Sequence, residues 1–145
     1  MFLVVHGPNL NLLGEREPEI YGTTTLADID DKLQRQAKTA DVALKTFQSN
    51  HEGELIDHLQ SNRTAEGLII NPAALTHYSL SLRDALAAMK MPIVEVHLSN
   101  IFKRESFRRN SVTAEVALGS ISGFGWRSYT AALDILIALR KESGS

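Results

Sequence analysis

Short apolar runs rich in β-branched residues alternate with amphipathic stretches along this chain. That alternation constrains the fold more than any other feature. Phe2 to His6, Val42 to Phe47, Gly67 to Ile70 and Ile93 to Val96 are each too short for a stable helix and end at turn residues, so each reads as a strand. A fifth strand is expected over Glu115 to Ile121. Between the strands, apolar residues recur every three or four positions: Leu26, Ile29, Leu33 and Ala37; Leu55, Ile56 and Leu59; Leu82, Ala85, Leu86 and Met89; Tyr129, Leu133, Leu136 and Ile137. Each set makes one apolar stripe on a helix. Thr25 to Asp28 and Ser49 to Glu52 both have the spacing of a capping box at a helix start. Residues 7–24 read as one long loop, and Glu142 to Ser145 as a loose tail.

Strands that are apolar on both faces and alternate with helices imply a parallel sheet covered on both sides. The expected fold is α/β: a flavodoxin-like, three-layer open sheet of five parallel strands in the order 2-1-3-4-5, forming a single domain over residues 1–145. The chain has no cysteine, which excludes disulfides, thiolate metal ligation and thiol catalysis. Fifteen basic against seventeen acidic residues leave a net charge of −2, which argues against a nucleic-acid partner. No apolar run approaches the ~18 residues of a membrane span, and the first residues lack a signal peptide's basic head and cleavage site. A cytoplasmic protein without a membrane partner is therefore expected, and the triplet Asn62-Arg63-Thr64 is read as chance rather than as a glycosylation site.

Open α/β sheets bind ligands beyond the carboxyl ends of their strands, where the strand order reverses. The first strand ends in His6-Gly7-Pro8-Asn9, the third leads through Asn71-Pro72 to Thr76-His77, and the fourth ends in His97-Leu98-Ser99-Asn100. In the expected order these ends are neighbours, so amides, imidazoles and a hydroxyl converge on one rim. The loop after the first strand carries Arg16 and Tyr21, with Gly14 and Gly22 placed as hinges of a lid. Lys103, Arg104, Arg108 and Arg109 form either a grip for a carboxylate or phosphate or a solvated charge run. Several chemistries lack their signature. Gly7 to Gly14 is not followed by Lys-Ser/Thr, Gly123-Phe124-Gly125 lacks the third glycine of a dinucleotide fingerprint, and no Gly-x-Ser-x-Gly elbow occurs. His51 and His58 have no third metal ligand in view, and no lysine sits directly at a strand's carboxyl end to form an imine.

Five stretches also resemble the motifs of one family, in order and over nearly the whole chain. They are Gly7-Pro8-Asn9-Leu10-Asn11-Leu12-Leu13-Gly14 with Arg16-Glu17-Pro18 and Tyr21-Gly22; Phe47-Gln48-Ser49-Asn50-His51-Glu52-Gly53; Ile70 to His77 with Leu82-Arg83-Asp84-Ala85; Glu95 to Asn100; and Arg104 to Arg108. The chain resembles type II 3-dehydroquinate dehydratase, and departs from that family's commoner residues at Leu75, Tyr78 and Ser106 and in Gly125-Trp126-Arg127-Ser128-Tyr129, which lacks the glycine that often precedes this tyrosine.

The resemblance implies a shikimate-pathway enzyme that removes water from 3-dehydroquinate by anti elimination through an enolate. It implies no metal, no cofactor and no imine. Tyr21 would take the C2 proton, Arg16 would activate Tyr21, His97 would protonate the departing hydroxyl, and Asn9 would stabilise the enolate. Asn71, His77, Leu98, Ser99 and Arg108 would hold the substrate. Asp84 would reach a neighbouring subunit's site, since the family is a dodecamer built from trimers.

Elementary chemistry is consistent with these roles. A free tyrosine is only on the order of 0.1% phenolate at pH 7, and a nearby guanidinium lowers a phenol's pKa by roughly 1–3 units. Histidine is suited to give a proton near neutrality. Glu95, two residues before His97 on one strand, points to the same side. It would hold the imidazole tautomer and favour its protonated form. The competing readings are a catalytically silent small-molecule-binding module on the same fold and a nucleotide or flavin carrier.

Overall fold

The computed structural model describes residues 1–144, with Tyr21 described in its backbone alone. Its strands are β1 (Phe2–His6), β2 (Leu44–Gln48), β3 (Gly67–Asn71), β4 (Ile93–His97) and β5 (Gly119–Ser122). They form one parallel sheet in the order β2-β1-β3-β4-β5, as the alternation predicts. The helices are α1 (Pro18–Tyr21), α2 (Leu26–Thr39), α3 (Glu52–Ser61), α4 (Leu80–Ala87) and α5 (Arg127–Gly144).

The period-two geometry of a strand sends alternate side chains to opposite faces. Phe2, Val4, Ile69, Val94 and Val96 enter a core closed by α2 and α5. Leu3, Val5, Leu68, Ile70 and Ile93 enter a second core closed by α3 and α4. The three inner strands β1, β3 and β4 are buried throughout, which is why they read as mostly apolar runs, broken inside β4 by Glu95. This is the flavodoxin-like three-layer arrangement.

Thr25 caps α2 as expected: its hydroxyl accepts from the Asp28 N–H, while the Asp28 carboxylate accepts from the Thr25 N–H. The second capping box does not form. Ser49 Oγ accepts from the His51 N–H (2.9 Å) and donates to Glu54 (2.6 Å), so His51 begins α3 without a side-chain cap. Glu52 turns instead to the Ser79 hydroxyl at the start of α4.

The fifth strand starts later than its apolar pattern suggests. Ser111 Oγ accepts from the Ala114 N–H (2.9 Å), which closes a tight turn over Ala114–Val116. The sheet ladder begins only where Leu118 N–H meets the Ile93 carbonyl. The expected tail is also shorter, because α5 runs on to Gly144; Ser145 lies outside the described residues. The long loop holds structure of its own, a 3-10 turn at Leu10–Leu12 and α1, and Leu10 and Leu13 are buried in the first core.

The rim between β1 and β3 is drawn tight. The Gly7 N–H donates to the Asn71 carbonyl at 2.8 Å. A Cβ on Gly7 would lie 2.5 Å from the Pro72 carbonyl oxygen, so only glycine fits. Among the described residues, no helix is long and apolar enough to cross a membrane.

Candidate active site

A cavity opens beyond the carboxyl ends of β1, β3 and β4, at the reversal of strand order where such a sheet binds ligands. Of the residues singled out from the sequence, it is lined by Asn9, Arg16, Asn71, His77, His97, Leu98, Ser99 and Arg108. Pro8, Leu10, Leu12, Leu13 and Ile101 supply an apolar floor, and Arg104 adds a third guanidinium. A pocket with three arginines, two histidines and two amides suits a small, polar, anionic ligand.

Two carboxylates on the predicted set do not line it. Asp84 is exposed on α4, away from this chain's own cavity. Glu95 sits behind His97, 1% exposed. The side chain of Tyr21 lies outside the described residues. Tyr78, 66% exposed, and Ser106 stand outside the cavity, as does the buried Leu75.

Glu95 and His97 leave β4 on the same side, as their spacing predicts. Glu95 Oε2 meets His97 Nε2 at 2.9 Å. The ring's Nε2–H therefore points at the carboxylate, and Nδ1 is the nitrogen left for a ligand. Three hydroxyls complete the cage: Thr76 (3.0 Å) and Ser111 (2.8 Å) donate to Oε2, and Thr113 donates to Oε1. Burial alone would raise the Glu95 pKa, but the hydrogen bonds from His97, Thr113 and Ser111 outweigh it, and the carboxyl is held below its ordinary value. The Glu95–His97 contact follows from their spacing; the three hydroxyls around the carboxylate do not. The pattern Ser111-Val112-Thr113, two hydroxyls at the turn that leads into Ala114–Val116, is the signal that would have found two of them.

The remaining groups are set by backbone. Asn9 holds a left-handed conformation (φ 71°), with its N–H on Asn50 Oδ1 at 2.9 Å. His77 Nδ1 lies 2.7 Å from the Asn110 carbonyl, so Nδ1 donates there and Nε2 is the nitrogen left for a ligand. Arg104 donates to the Ser99 hydroxyl at 3.4 Å, and Arg108 pairs with Glu105. Arg16 faces Glu17 at 3.6 Å, its side chain 43% exposed. Gly14 and Gly22 bracket this segment with φ of 90° and 80°. His51 stands at the exposed start of α3, while His58 is stacked on Phe47. Among the described residues no group of three or more His, Asp or Glu is placed to hold a metal ion.

Fold and cavity together define a small-molecule enzyme of the open-sheet α/β class. Comparison with known proteins narrows this. The model of the dehydroquinase class II family matches residues 1–137. A 3-dehydroquinate dehydratase of Roseiflexus castenholzii is 59% identical over 95% of this chain and 88% of its own length. One from Halothermothrix orenii is 54% identical over 96% of this chain and 95% of its own. The crystal structure of a type II dehydroquinase from Butyrivibrio crossotus superposes with a TM-score of 0.92 at 43% identity, covering 93% of this chain and 95% of that one. The chain belongs to the class II dehydroquinase family and is an enzyme of the hydro-lyase class.

Proposed function

We propose that this chain converts 3-dehydroquinate to 3-dehydroshikimate and water, in the shikimate pathway, without metal or cofactor. The observation that carries the reading is the buried Glu95–His97 pair opening onto a cavity lined by Asn9, Arg16, Asn71 and Arg108. Tyr21, as phenolate beside Arg16, removes the proton at C2. The electron pair passes into the carbonyl as an enolate, which the Asn9 side of the rim stabilises. Collapse of the enolate expels the C1 hydroxyl, and His97 Nδ1 gives it the proton that makes it water. Glu95 holds Nε2 and so keeps Nδ1 turned toward the substrate. Asn71, His77, Leu98, Ser99 and Arg108 bind the substrate's hydroxyls and carboxylate, with the His77 Nε2 accepting from a hydroxyl.

Asp84 reaches the site of an adjoining subunit, within a dodecamer built from trimers. Its exposure on α4 agrees with this. The enzyme works as a cytoplasmic protein.

Dehydration creates a conjugated enone, so the test is ultraviolet absorbance of purified protein with 3-dehydroquinate. Rising absorbance in the presence of a chelator supports the reading. A flat signal from folded protein that still binds the compound overturns it in favour of a silent binding module.

A further inference from the structure

Behind the cavity wall lies a second buried polar cluster to which the mechanism above assigns no role. His6, at the end of β1, and Tyr129, on α5, are both fully buried, far apart in sequence and together in space. Asn71, the cavity residue at the end of β3, is 3% exposed. Its Nδ2 lies 3.1 Å from Tyr129 Oη, which lies 2.9 Å from His6 Nδ1, while His6 Nε2 lies 2.8 Å from Asp30 Oδ1 on α2.

Each hydrogen in this line has one consistent place. The Asn71 Oδ1 accepts from the Ala73 N–H at 3.0 Å, and a backbone N–H can only donate. The carboxamide is therefore oriented with Nδ2 donating to Tyr129 Oη. Burial pushes the Tyr129 hydroxyl far above its ordinary pKa, so it stays a phenol with a single hydrogen. That hydrogen goes to His6 Nδ1. His6 Nδ1 is then the acceptor, and Nε2 carries the hydrogen donated to the Asp30 carboxylate. Turning the imidazole over would set a bare nitrogen against the Asp30 carboxylate and leave the Tyr129 hydrogen without an acceptor at the buried end of the line, while Asp30, its side chain 29% exposed, is the one member that reaches the surface.

We propose that His6, Asp30 and Tyr129 are positioning residues, acting as one hydrogen-bond line that locks the Asn71 carboxamide with its second N–H facing the cavity. An acceptor group of the substrate, a hydroxyl or carbonyl oxygen, meets that N–H without the amide first having to reorient. The proposal rests on the reading that Asn71 contacts substrate. It is independent of the acid and base assignments.

The test is steady-state kinetics of Tyr129→Phe, which keeps the ring and removes the hydroxyl. Lost prealignment is lost uniform binding, so KM rises about tenfold with kcat within twofold. Combined with Asn71→Ala, the change adds less than a further twofold, because both act through one amide. A wild-type KM in the folded variant overturns the proposal, as does full multiplication of the two effects.

Two replacements of His6 separate position from mere filling. In His6→Asn an amide oxygen falls near Nδ1, and Tyr129 keeps its acceptor. In His6→Gln the side chain reaches Asp30 but leaves that place empty. KM within threefold of wild type for His6→Asn, and raised for His6→Gln, supports the line; the same KM for both overturns it, even if Tyr129→Phe fails to fold. Should wild-type protein leave 3-dehydroquinate unchanged, the function reading falls while the line is still decided by nuclear magnetic resonance. The Asn71 side-chain amide signals then shift in Tyr129→Phe if the line exists and stay in place if it does not.

Discussion

The two sides of the cavity are built differently. The β4 side is finished before any ligand arrives: Glu95 is 1% exposed, and its carboxylate collects an imidazole and three hydroxyls. The side carried by the loop after β1 is anchored in the core at its root, through Leu10 and Leu13, and beyond them Arg16 meets Glu17 at the surface. The proton donor of the proposed reaction is thus held by the sheet, whereas the base and its activator ride on an exposed segment between two glycines. Such a division lets a site stay open for entry and still present a rigid acid.

The comparison can be broken where its effects are largest. Tyr21→Phe removes the proposed base and is expected to lower kcat by roughly 10³-fold, within the range for general acid–base groups. Calorimetry should still find product bound. Near wild-type turnover would take the base out of the loop altogether. Arg16→Ala is expected to cost about 10²-fold at neutral pH, because the proposed phenolate loses its neighbouring positive charge. Part of the loss should be recovered as pH rises, and a pH–rate profile without that recovery would deny Arg16 its role.

Glu95→Gln tests the finished side. The amide cannot accept as the carboxylate does, and kcat should fall about tenfold. The same change probes stability. The Glu95 carboxyl is depressed in the folded state, so its contribution is complete above the unfolded carboxylate value of about 4.3 and disappears as pH falls through the lower folded value. Urea midpoints of wild type should drop in that acid window, and those of Glu95→Gln should drop less. Ser111→Ala sharpens the contrast most gently. One of several hydroxyls is lost from a half-buried edge of the cage, and a two- to threefold fall in kcat is expected. If Ser111→Ala proved costlier than Arg16→Ala, the rigid and adjustable sides would have to be exchanged.

Much of this architecture was legible in the chain. Mostly apolar runs at β1, β3 and β4, broken inside β4 by Glu95, gave away strands buried on both faces, and from them came the sheet order and the rim that gathers Asn9, Asn71 and His97. Two residues of separation placed Glu95 behind His97. Less visible were local competitions for the same hydrogen. Ser49 has the spacing of a cap but prefers a turn with His51 and Glu54, and Ser111 closes a turn where apolar alternation suggested strand. Least visible were partners brought together by tertiary folding alone. Tyr129 reads as one more apolar helix residue, and only the packing of α5 under β1 and β3 shows that its hydroxyl serves Asn71 and His6.

The close approach at Gly7 carries a further meaning. Because no side chain stands between it and the Pro72 carbonyl, the spacing of the Asn9 and Asn71 strand ends is set by contact of main chain on main chain. Side chains can be traded for smaller or larger ones, but a backbone contact offers nothing to trim. Along the line from β1 to β3 the cavity therefore has a fixed gauge. Variants seeking room for bulkier ligands will find it toward the loops that bear Leu12, Ser99 and Arg104, and nowhere between those two strands.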